Sequence, residues 1–139
     1  LLNIAKCDIF ISIGCILRII TKKRVKNAML QYPQWQVGLD LWCHVFSQSS
    51  LNAHSYNQIK DIWRRASGWN TDRIAGKRLK NENGDYGTIF DLYIFDVHGS
   101  SCRILAKLGH NTLFVRDILS HSEYDKWCKH NIHQGKLKR

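Results

Sequence analysis

The chain has 139 residues, 44% hydrophobic and 11% aromatic, enough for one domain with a real core and too few for a second. Its five cysteines, Cys7, Cys15, Cys43, Cys102 and Cys128, are odd in number and form no C-x-x-C pair, which suits a reducing compartment rather than a disulfide framework. Lysine and arginine number 21 against 11 acidic residues, a net charge of +10, and such an excess points to a polyanionic partner, nucleic acid first.

Residues 1–17 read as an N-terminal extension. The nearly apolar run from Ile9 to Leu17 is broken by Ser12 and Gly14 and ends at Arg18, short of the roughly 20 residues that cross a bilayer. Asp8 in front of that run does not suit a secretory leader, so the expectation is a soluble, cytoplasmic protein. The extension is either an extra strand at 8–16 or the product of a start set upstream of Leu17. Thr21 then caps a helix whose apolar face is Val25, Met29 and Tyr32, with Pro33 as its stop. Trp35, Leu39, Trp42 and Phe46, spaced four, three and four, mark a second helix, and Ile59, Ile62 and Trp63 a third from about Ser55 to Arg65.

From Ser67 to Gly87 the residues are Gly, Asn, Asp and basic types, with a turn signal at Asn83-Gly84, and read as a long basic loop. Three β-branched and aromatic segments follow at 88–97, 101–108 and 112–119, joined by hairpin turns at His98-Gly99-Ser100 and Gly109-His110-Asn111. A last helix starts after Ser120, where Glu123 completes a capping box. Basic and acidic residues number 12 and 3 over 17–80, 3 and 7 over 81–125, and 5 and none over 126–139.

Alternation puts Cys102, Ile104, Ala106 and Leu108 on the core face of the second segment, and Arg103, Leu105 and Lys107 on the other. A two-residue turn at His110-Asn111 pairs Leu105 with Arg116, so that Arg103, Lys107 and Arg116 project together, with His121 and Tyr124 just beyond. The competing arrangement has each arginine paired with a local acid, Asp96 or Asp117, and alternation leaves both open. Cys128, His130 and His133 fall short of the four ligands a structural zinc site takes. His44, one turn after Asp40, reads as a structural pair.

Phe95-Asp96-Val97-His98-Gly99-Ser100 with Arg103, FVRDIL with Arg116, and Ser120-His121-Ser122-Glu123-Tyr124-Asp125 resemble the C-terminal half of the HigB toxins, RelE-like mRNA interferases of type II toxin-antitoxin pairs. That family reads F-N-[IV]-G-G-N-x-x-R-[LIV], then a strand with an Arg, then T-H-x-E-Y-D. Arg18 to Lys23, YPQW and LDLW resemble the family's N-terminal strand and helices, so the likeness spans 18–128 and leaves 129–139 as a basic tail. His98 stands where the family has its first turn glycine, Asp96 and Ser100 where it has asparagines, and the loop from Arg73 to Gly87 is longer than in short members.

The resemblance implies an α+β fold of the RelE type, with N-terminal helices on one face of a small, mainly antiparallel sheet, a basic opposite face and a short C-terminal helix. It also implies an endoribonuclease that needs no cofactor or metal and attacks mRNA on the ribosome through the ribose 2′-OH. Its partner would be a HigA-like helix-turn-helix antitoxin. Arg103, Lys107 and Arg116 would stabilise the phosphorane, His121 would move the proton, and Tyr124 would donate a hydroxyl, stack on a base or simply pack. Further RNA contacts are expected from Lys22, Lys23, Arg24, Lys77, Arg78 and Lys126. Seven Lys and Arg on the first and third helices would dock the antitoxin away from the catalytic face. The runner-up is a basic RNA- or ribosome-binding protein without catalysis, such as a decayed toxin.

Overall fold

A computed structural model of the protein describes residues 18–20, 22–47, 55–81, 83–109 and 112–133. The expected strand at 8–16, the cap at Thr21 and the turn at His110-Asn111 lie outside these residues. Chain order is β1 (Arg18–Ile20), α1 (Lys22–Gln31), a 3₁₀ turn (Pro33–Trp35), α2 (Gln36–Phe46), α3 (Tyr56–Ser67), β2 (Thr71–Ile74), a second 3₁₀ turn (Gly76–Arg78), β3 (Leu92–Val97), β4 (Cys102–Gly109), β5 (Thr112–Ser120) and α4 (His121–Asn131). The sheet runs β1-β5-β4-β3-β2. Only β1 against β5 is parallel; the other pairs are antiparallel. The protein is therefore α+β, with its helices packed against a mainly antiparallel sheet. Among the described residues no helix is long and apolar enough to cross a membrane.

The helical periodicities become the main core. Val25, Met29, Trp35, Leu39, Trp42, Phe46, Ile59 and Trp63 are buried against Phe95, Val97, Cys102, Ile104, Ala106, Leu113 and Val115 of the sheet. Ser55 caps α3 through a reciprocal capping box with Gln58, and Gly68 ends the helix at φ 81°, a left-handed conformation glycine adopts without strain. The opposite sheet face carries a second, smaller core of Ile74, Leu79, Leu92, Ile94, Leu105 and Ile132, with Tyr124, Trp127 and Cys128 of α4 packed on it. That face is thus partly covered by α4 rather than open and basic throughout. The helix extends to Asn131 and Ile132 is buried, so residues 129–132 belong to the fold and are not tail.

Two further expectations change. The stretch 67–87 is not an open loop: β2 pairs with β3 along Thr71–Ile74, and Leu79 and Lys80 form bridges with Ile132 and Tyr86. Leu105 does not pair with Arg116. Register runs Ala106 with Val115 but Leu105 with Asp117, which makes Arg116 the extra residue of a β-bulge.

The β3–β4 hairpin is locked to α2. His98 takes φ 53° and Gly99 φ 67°, and the Gly38 N–H donates to His98 Nε2 at 3.1 Å. The imidazole thereby satisfies one of the amides left free at the start of α2, with its own proton on Nδ1. A Cβ on Gly38 would fall 2.5 Å from Val97 Cγ1 and 2.7 Å from His98 Nε2. Gly38→Ala is expected to destabilise the protein by about 1–3 kcal/mol through overpacking. Thermal denaturation checks this, and an unchanged midpoint would mean that α2 is not seated on the hairpin.

Candidate functional site

The structure divides the expected cationic row in two. Arg103 and Lys107 share a face of β4, but four residues of strand separate them by about 13 Å, and buried Leu105 lies between.

At the first end, the capping box of Ser120 and Glu123 starts α4 directly from β5: Ser120 Oγ accepts from the Glu123 N–H at 3.2 Å, and Glu123 Oε1 from the Ser120 N–H at 2.8 Å. This turns His121, Tyr124 and Asp125 back over the Arg103 end of β4. Arg103 Nη2 lies 3.5 Å from His121 Nδ1, and His121 Nε2 lies 3.5 Å from Asp125 Oδ2. A guanidinium only donates, so this arrangement places a lone pair on Nδ1 and the proton on Nε2, facing the carboxylate. The Arg103 guanidinium also sits 4.7 Å from the centroid of the Tyr124 ring, and that ring stacks on Trp127.

Arg103 is held from beneath by Asp96, its cross-strand neighbour. Nε and Oδ1 are 3.0 Å apart, with the side chains only 13% and 19% exposed. The angle falls short of a hydrogen bond, and both atoms are sealed from solvent with no other partner. Burial pushes the Asp96 carboxyl above its ordinary range, against the attraction of Arg103. Burial first, and a hydrogen bond with Cys128 second, push the Tyr124 phenol well above its usual value. Tyr124 at neutral pH is therefore a protonated hydroxyl engaged with a neighbouring thiol, with its ring against the Arg103 guanidinium. Burial likewise raises the thiols of Cys128 and Cys102, the latter to about 12, which leaves both protonated and unreactive.

At the other end, a cleft of about 640 Å³ opens between β4, β5 and the 79–91 segment, lined by Arg24, Lys80, Lys107 and Arg116 together with Phe90 and Phe114. The bulge re-aims Arg116 into it. Lys107 Nζ lies 4.9 Å from the Phe90 centroid and 5.4 Å from that of Phe114. The cleft's back wall is tied down: Gly76 N–H donates to Asp91 Oδ1 at 2.8 Å, and Thr88 Oγ1 donates to the Phe90 carbonyl at 2.7 Å. Gly76 is required here, because a Cβ would fall 2.5 Å from the Thr88 carbonyl oxygen.

The local acids are spent on other cations. Asp117 pairs with Arg24 at 3.6 Å and Asp91 with Arg73 at 3.8 Å. Among the described residues no carboxylate lies within ion-pair distance of Lys80, Lys107 or Arg116. So the competing arrangement holds for Arg103, and Asp117 serves Arg24 rather than Arg116. Because Arg24 lines the cleft, the basic face of α1 is not remote from the opposite side of the sheet as expected. Lys23 is exposed on α1 and Lys126 on α4; Lys77 is exposed on the second 3₁₀ turn, where Arg78 donates to the His133 carbonyl at 3.5 Å. Lys22 opens α1, with its side chain outside the description.

Lys80, Phe90 and Phe114 were not singled out from the sequence. A straight count back from a two-residue turn does set Phe114 opposite Lys107, as observed, so that aromatic and cation pair was within reach. His44 remains a local pair, its Nδ1 3.5 Å from Asp40 Oδ2. Compared with known proteins, the chain matches no family model and no curated protein.

Proposed function

We propose that this protein is a RelE-like endoribonuclease, the toxin of a cytoplasmic toxin-antitoxin pair, which cuts mRNA during translation. The observation that carries the reading is the convergence of Arg103, His121 and Asp125 where β4 meets α4, with Tyr124 holding the guanidinium. In the proposed reaction the incoming ribose 2′-OH takes the place of Arg103 Nη2 at the His121 Nδ1 lone pair and gives its proton there while its oxygen bonds to phosphorus. The bond from phosphorus to the 5′ oxygen breaks, and that oxygen takes a proton from water. The products are a 2′,3′-cyclic phosphate and a 5′-hydroxyl. Arg103 Nη2, beside Nδ1, stabilises the charge gathered on the phosphorane oxygens, and Asp125 favours the imidazolium that forms.

One observation favours the second reading, an RNA- or ribosome-binding protein without catalysis: the contact that commits one edge of Arg103 to Asp96. The two readings separate on one measurement. Purified protein added to a translating extract is expected to produce new mRNA 3′ ends carrying cyclic phosphate, mapped by primer extension and end chemistry. Intact mRNA in the presence of the protein would overturn the catalytic reading and favour the second. The partner that restrains such an enzyme would be an acidic, helix-turn-helix antitoxin drawn by the net charge of +10. Lys23, Arg64 and Arg65 are its exposed basic contacts on α1 and α3, whereas Arg24 already serves the cleft.

A further inference from the structure

The cleft at the far end of β4 is too distant from His121 to take part in the chemistry proposed there, yet it has the features of a built site. Lys80, Lys107 and Arg116 point charge at one concavity and have no carboxylate partner among the described residues, whereas Arg24, Arg65, Arg73 and Arg103 each have one. Asp91 also lines the cleft but is engaged by Arg73 and the Gly76 N–H, so the cations outnumber the counter-charge there, and an anion in the cleft relieves their mutual repulsion. The same walls hold two phenyl rings, Phe90 and Phe114, and the exposed side chain of Ile89. A phosphate alone has no use for these, but a base does, since aromatic faces stack on any base.

We infer that this cleft is a nucleotide subsite for the RNA strand, more than one linkage from the reacting phosphate, with Lys107 and Arg116 on its phosphate and Phe114 and Phe90 beside its base. The inference rests on the ribonuclease reading and adds to it a fixed point by which the strand is placed before His121.

The test is binding without chemistry. A fluorescently labelled hexanucleotide carrying 2′-O-methyl groups throughout has no attacking hydroxyl, and its affinity can be measured by anisotropy over a range of salt. Lys107→Met and Arg116→Gln remove charge while keeping the side-chain stem. Each is expected to weaken binding by about five- to tenfold and to lower the salt slope by roughly 0.7, the share of one phosphate contact on a single strand. Phe114→Leu is expected to weaken binding about tenfold with the slope unchanged. Adenosine monophosphate should displace the oligonucleotide at a lower concentration than inorganic phosphate.

Wild-type affinity in all three variants, with midpoints showing that they fold, would overturn the subsite. Loss in the two charge variants alone, with phosphate competing as well as the nucleotide, would reduce the cleft to a simple anion site and also overturn it. Failure of the two readings is distinguishable. Normal binding in every variant of a protein that still cuts mRNA sinks the subsite alone; the expected binding losses in a protein that leaves mRNA intact sink the ribonuclease reading alone.

Discussion

His121→Ala is expected to lower mRNA cutting by about a hundred- to ten-thousand-fold, the range for losing a general base, while leaving the fold in place. Its side chain is 58% exposed and its described ring contacts are those to Asp125 and Arg103, so the thermal midpoint should move by no more than a few degrees. Retained cutting by a folded His121→Ala protein would remove the histidine from the mechanism.

Arg103→Ala should be equally inactive but is a worse test, because it leaves the Asp96 carboxyl, whose Oδ1 is sealed from solvent, without its cation. The cost is about 1–3 kcal/mol at neutral pH, the penalty of an unpartnered buried polar group. The sign with pH follows from the raised carboxyl. When the folded value lies above the unfolded one, the native state binds more protons. The stability gained is complete below the unfolded value and is lost as pH rises through the folded one. Removing Arg103 raises the folded value further, so the gap between wild type and Arg103→Ala should narrow as melts are taken from pH 7 towards pH 4. A gap independent of pH would show that Asp96 is not the group left stranded. Arg103→Lys keeps a charge for Asp96 but not the planar fork that also reaches His121, and should preserve stability while losing activity.

The parts legible in the sequence were those governed by local rules. The four-three-four spacing from Trp35 to Phe46 yields the 3₁₀ turn and α2 with all the marked residues buried, Trp35 closing the turn and capping the helix, and Ser120 with Glu123 yields the capping box that opens α4. Strand alternation sorted Cys102, Ile104 and Ala106 from Arg103 and Lys107 correctly. What alternation cannot supply is distance along the strand, so Arg103 and Lys107 were grouped although each serves a different end. The bulge at Arg116 escaped because a register counted from a turn assumes one residue opposite one. Strand β2 escaped because Thr71–Ile74 is a short edge strand buried only at its two ends, with Asp and Arg between them and no apolar run to mark it. His98 in a left-handed conformation, where glycine is the ordinary choice, becomes intelligible only once α2 is packed across it, since its ring accepts from an amide 60 residues away.

Phe95 is the residue on which the fold's stability should depend most. It is fully buried and meets Trp42, Phe46 and Trp63 edge-on, at centroid distances of 5.4, 5.3 and 6.4 Å, so it joins β3 to both α2 and α3. Phe95→Ala removes those contacts and leaves a cavity between elements that cannot all close on it. The expected loss is about 3–5 kcal/mol, a large part of the roughly 5–15 kcal/mol that holds a domain folded. The midpoint should fall by about 10–20 °C, and a fall of only two or three degrees would mean that the aromatic cluster is not the main core. The next residue is Asp96, whose carbonyl accepts from Trp63 Nε1 at 2.9 Å and whose N–H donates to the Asn70 carbonyl at 2.9 Å. The backbone beneath Arg103 is therefore fixed from the aromatic side of the sheet while its carboxylate acts on the other. Phe95→Leu keeps most of the volume and should melt lower than wild type yet cut mRNA normally below its midpoint, because none of the rings it disturbs touches His121 or Arg103. Weakened cutting by that variant while fully folded would show that the position of Asp96, and through it Arg103, is set by ring packing as well as by these two backbone hydrogen bonds.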